Sequence, residues 1–525
     1  MSLRSMLSSL SARSSFLLAL VAGGLNVLSF APFHFWPVQI LSLALLFSQI
    51  LREGDDAISR KRAGWLAWAY GLGWLTASTS WLVYAMTVFG GLPGVLSLLA
   101  LMFLTGALSI YVAAAAWGTR WLQQRWKISS TVAGLLVLPG LFTVAEWLRI
   151  CFLTGFPWTI SGYAHTHSPL AGFAPVIGVL GLGWLNALLA AALALLLVNV
   201  GTVGNRKQNL ALPALVLVVF VAGFGLQQIN WTKPQGQAIQ VRLLQGNVAQ
   251  DMKFSQEHLN DSLTLYHDMI TQTPADLIVT PETALPMLTS QLPPDYLPLL
   301  NSFAQDSAST VILGVGVHDG ADKYSNSVLG MSRQYAQPYR YDKHHLVPFG
   351  EFIPPGFRWF VNMMSIPMGE FSTSGPIQPA MKVAGQWVMP NICYEDLFGE
   401  EIAAQLSAQH TAGQPVASIL LNASNLAWYG NSFAIPQHLQ ISQMRVLETG
   451  RPMLRATNTG ATAVIVPGGV VEQLLPENTR AVLAANVHGY TGMTPYILIG
   501  NFGALGLSVL GILLAFVLGR KEKNR

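Results

Sequence analysis

A cysteine, a lysine and a glutamate, each set just past a strand-like run, are the residues of this chain best suited to chemistry. Cys393 sits in Asn391-Ile392-Cys393-Tyr394-Glu395-Asp396, between an apolar run from Gln386 to Ile392 and a helix-like run from Asp396 to Gln409. A thiol on a strand-to-helix turn can be exposed, and a helix N-terminus favours its thiolate. A free cysteine is equally at home as a small buried apolar group. Lys343 lies in Tyr341-Asp342-Lys343-His344-His345-Leu346-Val347-Pro348-Phe349-Gly350-Glu351, where Pro and Gly imply a loop and Glu351 adds a carboxylate. By itself that stretch also reads as a solvated charged loop. Glu282 follows Pro281 in Thr280-Pro281-Glu282-Thr283, and the proline ends a strand and presents the carboxylate at its tip. A glutamate after a proline is common on surfaces. Together the three residues suffice for acyl transfer. A thiolate attacks a carbonyl, a carboxylate moves protons to the leaving group and from the incoming one, and an ammonium with a backbone N–H after the nucleophile stabilises the oxyanion. No spacing along the chain brings them together.

The elements that must do so alternate between strand and helix. Strands are expected at Ile239–Gln245, Asp276–Thr280, Thr310–Val317, Tyr324–Met331, Gln337–Tyr341, Ala417–Asn422, Met453–Thr457, Ala463–Val466 and Val470–Leu475. Helical spacing marks Glu257–Thr271, Leu299–Ser307 and Gln437–Thr449. About 270 residues, Gln227 to Thr494, are ample for one α/β domain.

That domain is embedded in an apolar chain. Of 525 residues, 52% are hydrophobic and 10% charged, against roughly 25% charged in soluble domains. Eight segments approach the length of about 20 residues that crosses a bilayer: Ser14–Phe30, Trp36–Leu51, Gly64–Val88, Leu92–Trp117, Thr131–Leu153, Ala174–Val200, Leu210–Leu226 and Pro495–Leu518. A signal peptide is the lesser reading of the first, because no small-x-small cleavage site follows. The division expected is a membrane domain at 1–226, an outer domain at 227–494, and an eighth span with its tail at 495–525. Basic residues alternate with the connections. They occur at Arg4 and Arg13, at Arg52 and Arg60 to Arg62, at Arg120, Arg125 and Lys127, at Arg206 and Lys207, and in the tail from Arg520 to Arg525. The positive-inside rule then puts both termini in the cytoplasm and the outer domain on the far side. Inside the spans, Glu146 and Arg149 are spaced to pair on one helix face, as a structural pair or as a contact for a lipid headgroup or the domain above. His165 and His167 read as loop residues rather than metal ligands. The net charge of +4 implies weak attraction to anions, and no nucleic-acid partner is expected. The two cysteines, Cys151 and Cys393, lie in dissimilar surroundings and are not expected to pair.

The motifs Pro-Glu-Thr-Ala at 281–284, the lysine stretch at 341–351 and Ile-Cys-Tyr-Glu-Asp at 392–396 resemble the nitrilase superfamily, whose Glu–Lys–Cys triad runs in this order. With eight spans around them, the whole chain resembles that superfamily's membrane-embedded branch, the apolipoprotein N-acyltransferase family. Gln245-Gly246-Asn247, Thr154-Gly155-Phe156-Pro157-Trp158, Gly450-Arg451-Pro452 and Arg455-Ala456-Thr457-Asn458-Thr459-Gly460 extend the match. The resemblance implies a polytopic α-helical membrane domain of eight spans carrying an α/β αββα sandwich. It implies Glu282 as general acid/base, Lys343 as oxyanion stabiliser and Cys393 as nucleophile, supported by Glu351, Tyr394 and Glu395. It implies a phospholipid acyl donor such as phosphatidylethanolamine, a diacylated apolipoprotein acceptor, a location in the bacterial inner membrane with the catalytic domain periplasmic, and no metal or other cofactor. The chain departs from the family at Lys253-Phe254, where Lys-Trp is frequent; phenylalanine keeps a ring but loses the indole N–H.

Two further stretches suit a lipid. Ile353 to Phe371, with Trp359, Met363 and Met364, reads as a lipid-facing lid or as a loop packed on the domain. Trp428 and Tyr429 follow a strand and belong either to a core or to a membrane interface. Phe254, Trp359, Met363, Met364, Trp428 and Tyr429 are therefore the candidate substrate contacts. The same triad with water as acceptor would make a membrane-anchored amidase, and a transporter or lipid-binding module would use no triad at all.

Overall fold

The computed structural model describes residues 11–54, 57–199, 206–253, 257–320, 323–362 and 370–523. Its chain forms two compact units. One comprises Met1–Val83, Pro93–Ile229 and Ile499–Arg525, and the other comprises Tyr84–Leu92 with Asn230–Leu498.

The first unit is helical. Among the described residues, six helices are long and apolar enough to cross a membrane: Ala12–Ser29, Gly94–Trp126, Ser130–Thr154, Pro169–Val198, Leu210–Gln227 and Phe502–Lys521. The remaining two expected spans differ. Pro37–Ile50 has 14 residues, a length of about 21 Å at 1.5 Å per residue, short of a hydrocarbon core of about 30 Å. Arg60–Ser78 opens on three basic residues and stops at Ser78 instead of running to Val88; Thr79 leaves helical geometry and a separate wide turn forms at Ala85–Phe89. The last segment is also broken: Pro495–Ile499 is its own short helix, and Gly500, at φ 53°, turns the chain before Phe502, a conformation glycine adopts without steric cost. Leucine, valine and phenylalanine side chains such as Leu99, Phe103, Leu217, Val221 and Leu510 stand exposed on this unit, which suits helices solvated by lipid.

Two buried polar clusters of this unit are held by protein partners. Arg149 lies 3.7 Å from Glu146 and donates to the Trp158 carbonyl at 3.0 Å, while the Ser161 N–H and hydroxyl donate to the Glu146 carboxylate at 2.8 and 2.5 Å. His165 is buried between Ser168 and Asn186, each at 3.1 Å. Among the described residues no cluster of metal-ligating side chains occurs.

The second unit stacks two sheets. In the first, the order is β13-β1-β2-β4-β5-β6, where β1 is Lys233–Gln245, β2 Leu277–Val279, β4 Thr310–His318, β5 Tyr324–Met331, β6 Tyr339–Asp342 and β13 Ala481–Thr491; β3, Leu285–Leu288, pairs with β4. In the second, the order is β12-β11-β10-β9-β8-β7, with β7 Met381–Val383, β8 Gln386–Ile392, β9 Ile419–Ser424, β10 Met453–Thr457, β11 Ala463–Val466 and β12 Val470–Leu474. Val241, Leu243, Leu277 and Ile312 of one sheet pack with Val388, Ile392, Leu421 and Leu454 of the other. The outer face of the first sheet is covered by helices Leu259–Thr271 and Tyr296–Asp306, and that of the second by Gly399–Thr411 and Ala434–Thr449. The layers are therefore α, β, β, α. Both β faces are buried, which is why these strands read as continuous apolar runs rather than alternating ones. Strands β1, β2 and β4 run parallel, as do β8, β9 and β10.

Candidate active site

The residues able to do chemistry gather where parallel strands end, the end at which open α/β sheets bind ligands. Glu282 follows β2, Lys343 follows β6 and Cys393 follows β8. Cys393 opens a single 3₁₀ turn, Cys393–Leu397, at φ 52°. A non-glycine residue there is uncommon and is held by its surroundings. Glu395 supplies part of that hold. Its carboxylate accepts the Ile392 N–H at 2.6 Å and the Tyr341 hydroxyl at 3.0 Å, and the His344 and His345 N–H groups at 2.7 and 3.2 Å. Glu395 thus ties the cysteine turn to the lysine loop. Its burial raises its pKa to about 7, against the pull of those donors.

Lys343 is buried and bridges two carboxylates, with Nζ 3.2 Å from Glu282 Oε1 and 2.9 Å from Glu351 Oε1. The Asn326 amide donates to both of those oxygens at 2.8 Å. The Val347 N–H holds Glu351 Oε2 at 2.8 Å. The Asn425 N–H donates to Glu282 Oε2 at 2.9 Å and also reaches the Cys393 thiol. Burial alone would pull Lys343 down, but Glu282 and Glu351 outweigh it and hold the ammonium well above its ordinary range. Burial alone would push Glu282 up, but Lys343, Asn326 and Lys253 outweigh it and leave the carboxyl below its ordinary value. Burial, then the charge of Glu282, pushes the Cys393 thiol up, opposed by Lys343 and the Asn425 N–H. At neutral pH the resting set is therefore a carboxylate, an ammonium and a thiol.

The N-terminal part, residues 22–192, matches the apolipoprotein N-acyltransferase N-terminal domain, and residues 228–496 match the carbon-nitrogen hydrolase family. An apolipoprotein N-acyltransferase of Ralstonia nicotianae is 46% identical over 504 residues, covering 96% of this chain and 93% of that one. The chain belongs to the apolipoprotein N-acyltransferase family. A member of that family from Nitrosomonas europaea is 41% identical over 513 residues, covering 96% of this chain and 98% of its own. Among solved structures, an amidase from Nesterenkonia sp. is 16% identical with a TM-score of 0.37, covering 48% of this chain and 92% of that one. Membership makes the chain an enzyme of the nitrilase superfamily, with membrane helices and an N-acyltransferase class by homology.

Within this N-acyltransferase domain, Glu282, Lys343, Glu351, Cys393 and Glu395 converge on one end of the two sheets. Tyr429 joins them, since Cys393, Lys343, Glu282 and Glu351 all act on its hydroxyl electrostatically. The Tyr394 ring points into an aromatic cluster instead, 5.9 Å from the His345 ring and 5.3 Å from the Phe398 ring. Trp428 meets the ring of Phe89 at 5.2 Å, and Gly430 lets the Tyr84 ring approach closely, because a Cβ there would stand 2.7 Å from it. Trp359 is 66% exposed. Phe254, Met363 and Met364 lie outside the described residues.

Three polar partners are not marked out by the sequence. Asn326 stands in the middle of β5, where a buried amide between serines was the available signal. Asn425 donates through its side chain to Gln250 at 2.8 Å and accepts from Asn458 at 3.1 Å, stitching together the loops after β1, β9 and β10. Lys253 is buried with Nζ 3.2 Å from the Glu282 carbonyl, and burial lowers its pKa to about 8 against the pull of Glu282 and Cys393. It is a second cation of the site, and in sequence it appeared only beside the Phe254 departure.

Proposed function

We propose that the chain moves a fatty acyl group from a membrane phospholipid, through a thioester on Cys393, to the N-terminal amine of a diacylglyceryl-cysteine apolipoprotein. One observation carries the reading: Lys343 bridges Glu282 and Glu351 at 3.2 and 2.9 Å, and the charges of Glu282 and Lys343 both bear on the Cys393 thiol. A base, a thiol and an oxyanion donor are what two successive acyl substitutions require.

Glu282 takes the thiol proton as Cys393 Sγ attacks the ester carbonyl. The oxyanion is held by Lys343 Nζ and the Tyr394 N–H. Its collapse breaks the ester C–O bond, and Glu282 gives the proton to the departing lysophospholipid. The α-amine of the acceptor then attacks the thioester. Glu282 takes the amine proton, the amide forms, and the proton returns to the thiolate. Glu351 and Asn326 keep Lys343 and Glu282 in register. Phosphatidylethanolamine is the donor proposed. Trp428 and Tyr429, with Phe254, Met363 and Met364, serve as acyl-chain contacts, and the stretch from Ile353 to Phe371, exposing Trp359, serves as a lipid-facing lid.

Residues 1–226 and 495–525 form the membrane part in this reading, with eight spans, two of them short or polar-ended. Both termini are cytoplasmic, and residues 227–494 work on the periplasmic side of the bacterial inner membrane. The basic residues of the alternate connections support that orientation. The test uses the detergent-solubilised protein with phosphatidylethanolamine and a diacylated lipopeptide. N-acyl lipopeptide and lysophospholipid are expected in equal amounts, and without acceptor an acyl mass on Cys393 that Cys393→Ser lacks. Free fatty acid with no N-acyl peptide would overturn the transferase.

A further inference from the structure

Behind the cysteine turn lies a buried polar chain that the acyl-transfer steps do not use. His438, on the helix Ala434–Thr449, has its Nε2 3.3 Å from the Cys393 carbonyl oxygen. Arg455, on β10, places Nη2 2.8 Å from His438 Nδ1. Arg455 is itself paired with Asp396 at 3.2 Å, and Ser442 bridges the two. All four side chains are fully buried. A second donor reaches the same carbonyl: Asn422 Nδ2 lies 3.2 Å from Cys393 O and 2.6 Å from Asn391 Oδ1.

The tautomer of His438 follows from its partners. A guanidinium only donates hydrogen bonds, so Nδ1 must accept and the ring proton must sit on Nε2. The Nε2–H then donates to the Cys393 carbonyl. Burial, then the Arg455 charge, then Lys343, also depress the imidazole's pKa well below its ordinary value, against the Cys393 carbonyl, so the ring stays neutral.

The Cys393 carbonyl and the Tyr394 N–H belong to one planar trans peptide and point in opposite directions. Two donors that fix the carbonyl therefore also fix the direction of the N–H. We infer that His438, with its tautomer set by Arg455, and Asn422 are positioning residues that aim the Tyr394 N–H at the oxyanion. The inference rests on the acyl-transfer reading, and it explains why the carbonyl of a cysteine at φ 52° is backed by two side-chain donors.

Acylation and alkylation of the same thiol separate this role from a merely structural one. Attack on an ester passes through an oxyanion, whereas attack on iodoacetamide does not. The full-length protein in detergent is mixed with phosphatidylethanolamine without acceptor, and acyl-enzyme formation is followed by intact mass. In parallel, alkylation of Cys393 by iodoacetamide is timed. In His438→Leu, acylation should slow about tenfold or more, short of the loss from deleting an oxyanion donor, while alkylation keeps its rate. His438→Gln, which retains an N–H at the Nε2 position, should restore acylation. Asn422→Ala removes the other donor, should show the same split, and supplies the readout if His438→Leu does not fold. Unchanged acylation in the folded variants, or acylation and alkylation falling together, would overturn the inference. Failure of the unaltered protein to form a thioester would instead remove the acyl-transfer reading, and is seen before any variant is made.

Discussion

The protein buries acid–base pairs in both of its units, and they differ in stoichiometry and in what surrounds them. In the helical unit, Glu146 meets one guanidinium, that of Arg149, while Ser161 donates to the carboxylate and the Trp158 carbonyl accepts from the guanidinium. This pair is closed in charge, one carboxylate to one guanidinium. In the sandwich, one ammonium, that of Lys343, is shared between two carboxylates, and the N–H that satisfies Glu282 also reaches a thiol. That arrangement carries a thiol, with a proton to give, beside its charges. A buried pair that is fully matched serves structure, since breaking it leaves an uncompensated charge. A buried charged cluster beside a nucleophile can change protonation state during a reaction.

Four variants break or sharpen the contrast. Cys393→Ala should abolish N-acyl transfer, roughly 10⁴-fold or more by analogy with loss of other nucleophiles, without lowering the melting temperature; retained turnover would leave the sandwich cluster as closed as the helical one. Lys343→Met should cost about a thousandfold, the scale of a lost oxyanion donor. It also carries a pH signature. In the proposed mechanism Glu282 works deprotonated, so the rate rises with pH through its pKa, which the lysine helps hold below its ordinary value. Removing the cation raises that pKa, and the acid limb of kcat/KM should move to higher pH; a limb that stays in place would detach Glu282 from the base role. Glu351→Gln leaves Lys343 with one full carboxylate and lets it shift, for an expected loss of about 10- to 100-fold, read as a fall in kcat at nearly constant KM. Glu146→Gln should leave kcat almost untouched while lowering stability by about 1–3 kcal/mol, the cost of an unmatched buried group, measured by thermal melting in detergent. A large fall in kcat with stability intact would put the helical pair among the working residues.

Most strands legible in the sequence are buried on both faces, although the exposed β12, Val470–Leu474, also matches its expected run at Val470–Leu475. The runs at Gln386–Ile392, Met453–Thr457 and Ala463–Val466 match β8, β10 and β11 to the residue. Strand β13 escaped notice because Ala481–Thr491 is an edge strand, rich in Ala and interrupted by Asn486 and Gly489, and buried at scattered positions. The third expected span was drawn ten residues too long, since Trp81, Leu82, Val83 and Val88 continue the apolar composition past the point where the helix ends. Apolar composition measures solvent preference and does not record a break in backbone geometry. Tyr84–Leu92 illustrates the difference, for it belongs to the same compact unit as the sandwich, where Phe89 meets Trp428.

The sequence alone determined the family, the two kinds of domain and the residues with reactive groups, because those depend on residue type and order. Tertiary structure decided the pairing. Asn326, Asn425 and Lys253 meet Glu282 from 44, 143 and 29 positions away, and no local pattern encodes such an approach. Only the stacking of two sheets brings the ends of β2, β6 and β8 together, so that the charges of a glutamate and a lysine of one sheet reach a cysteine of the other.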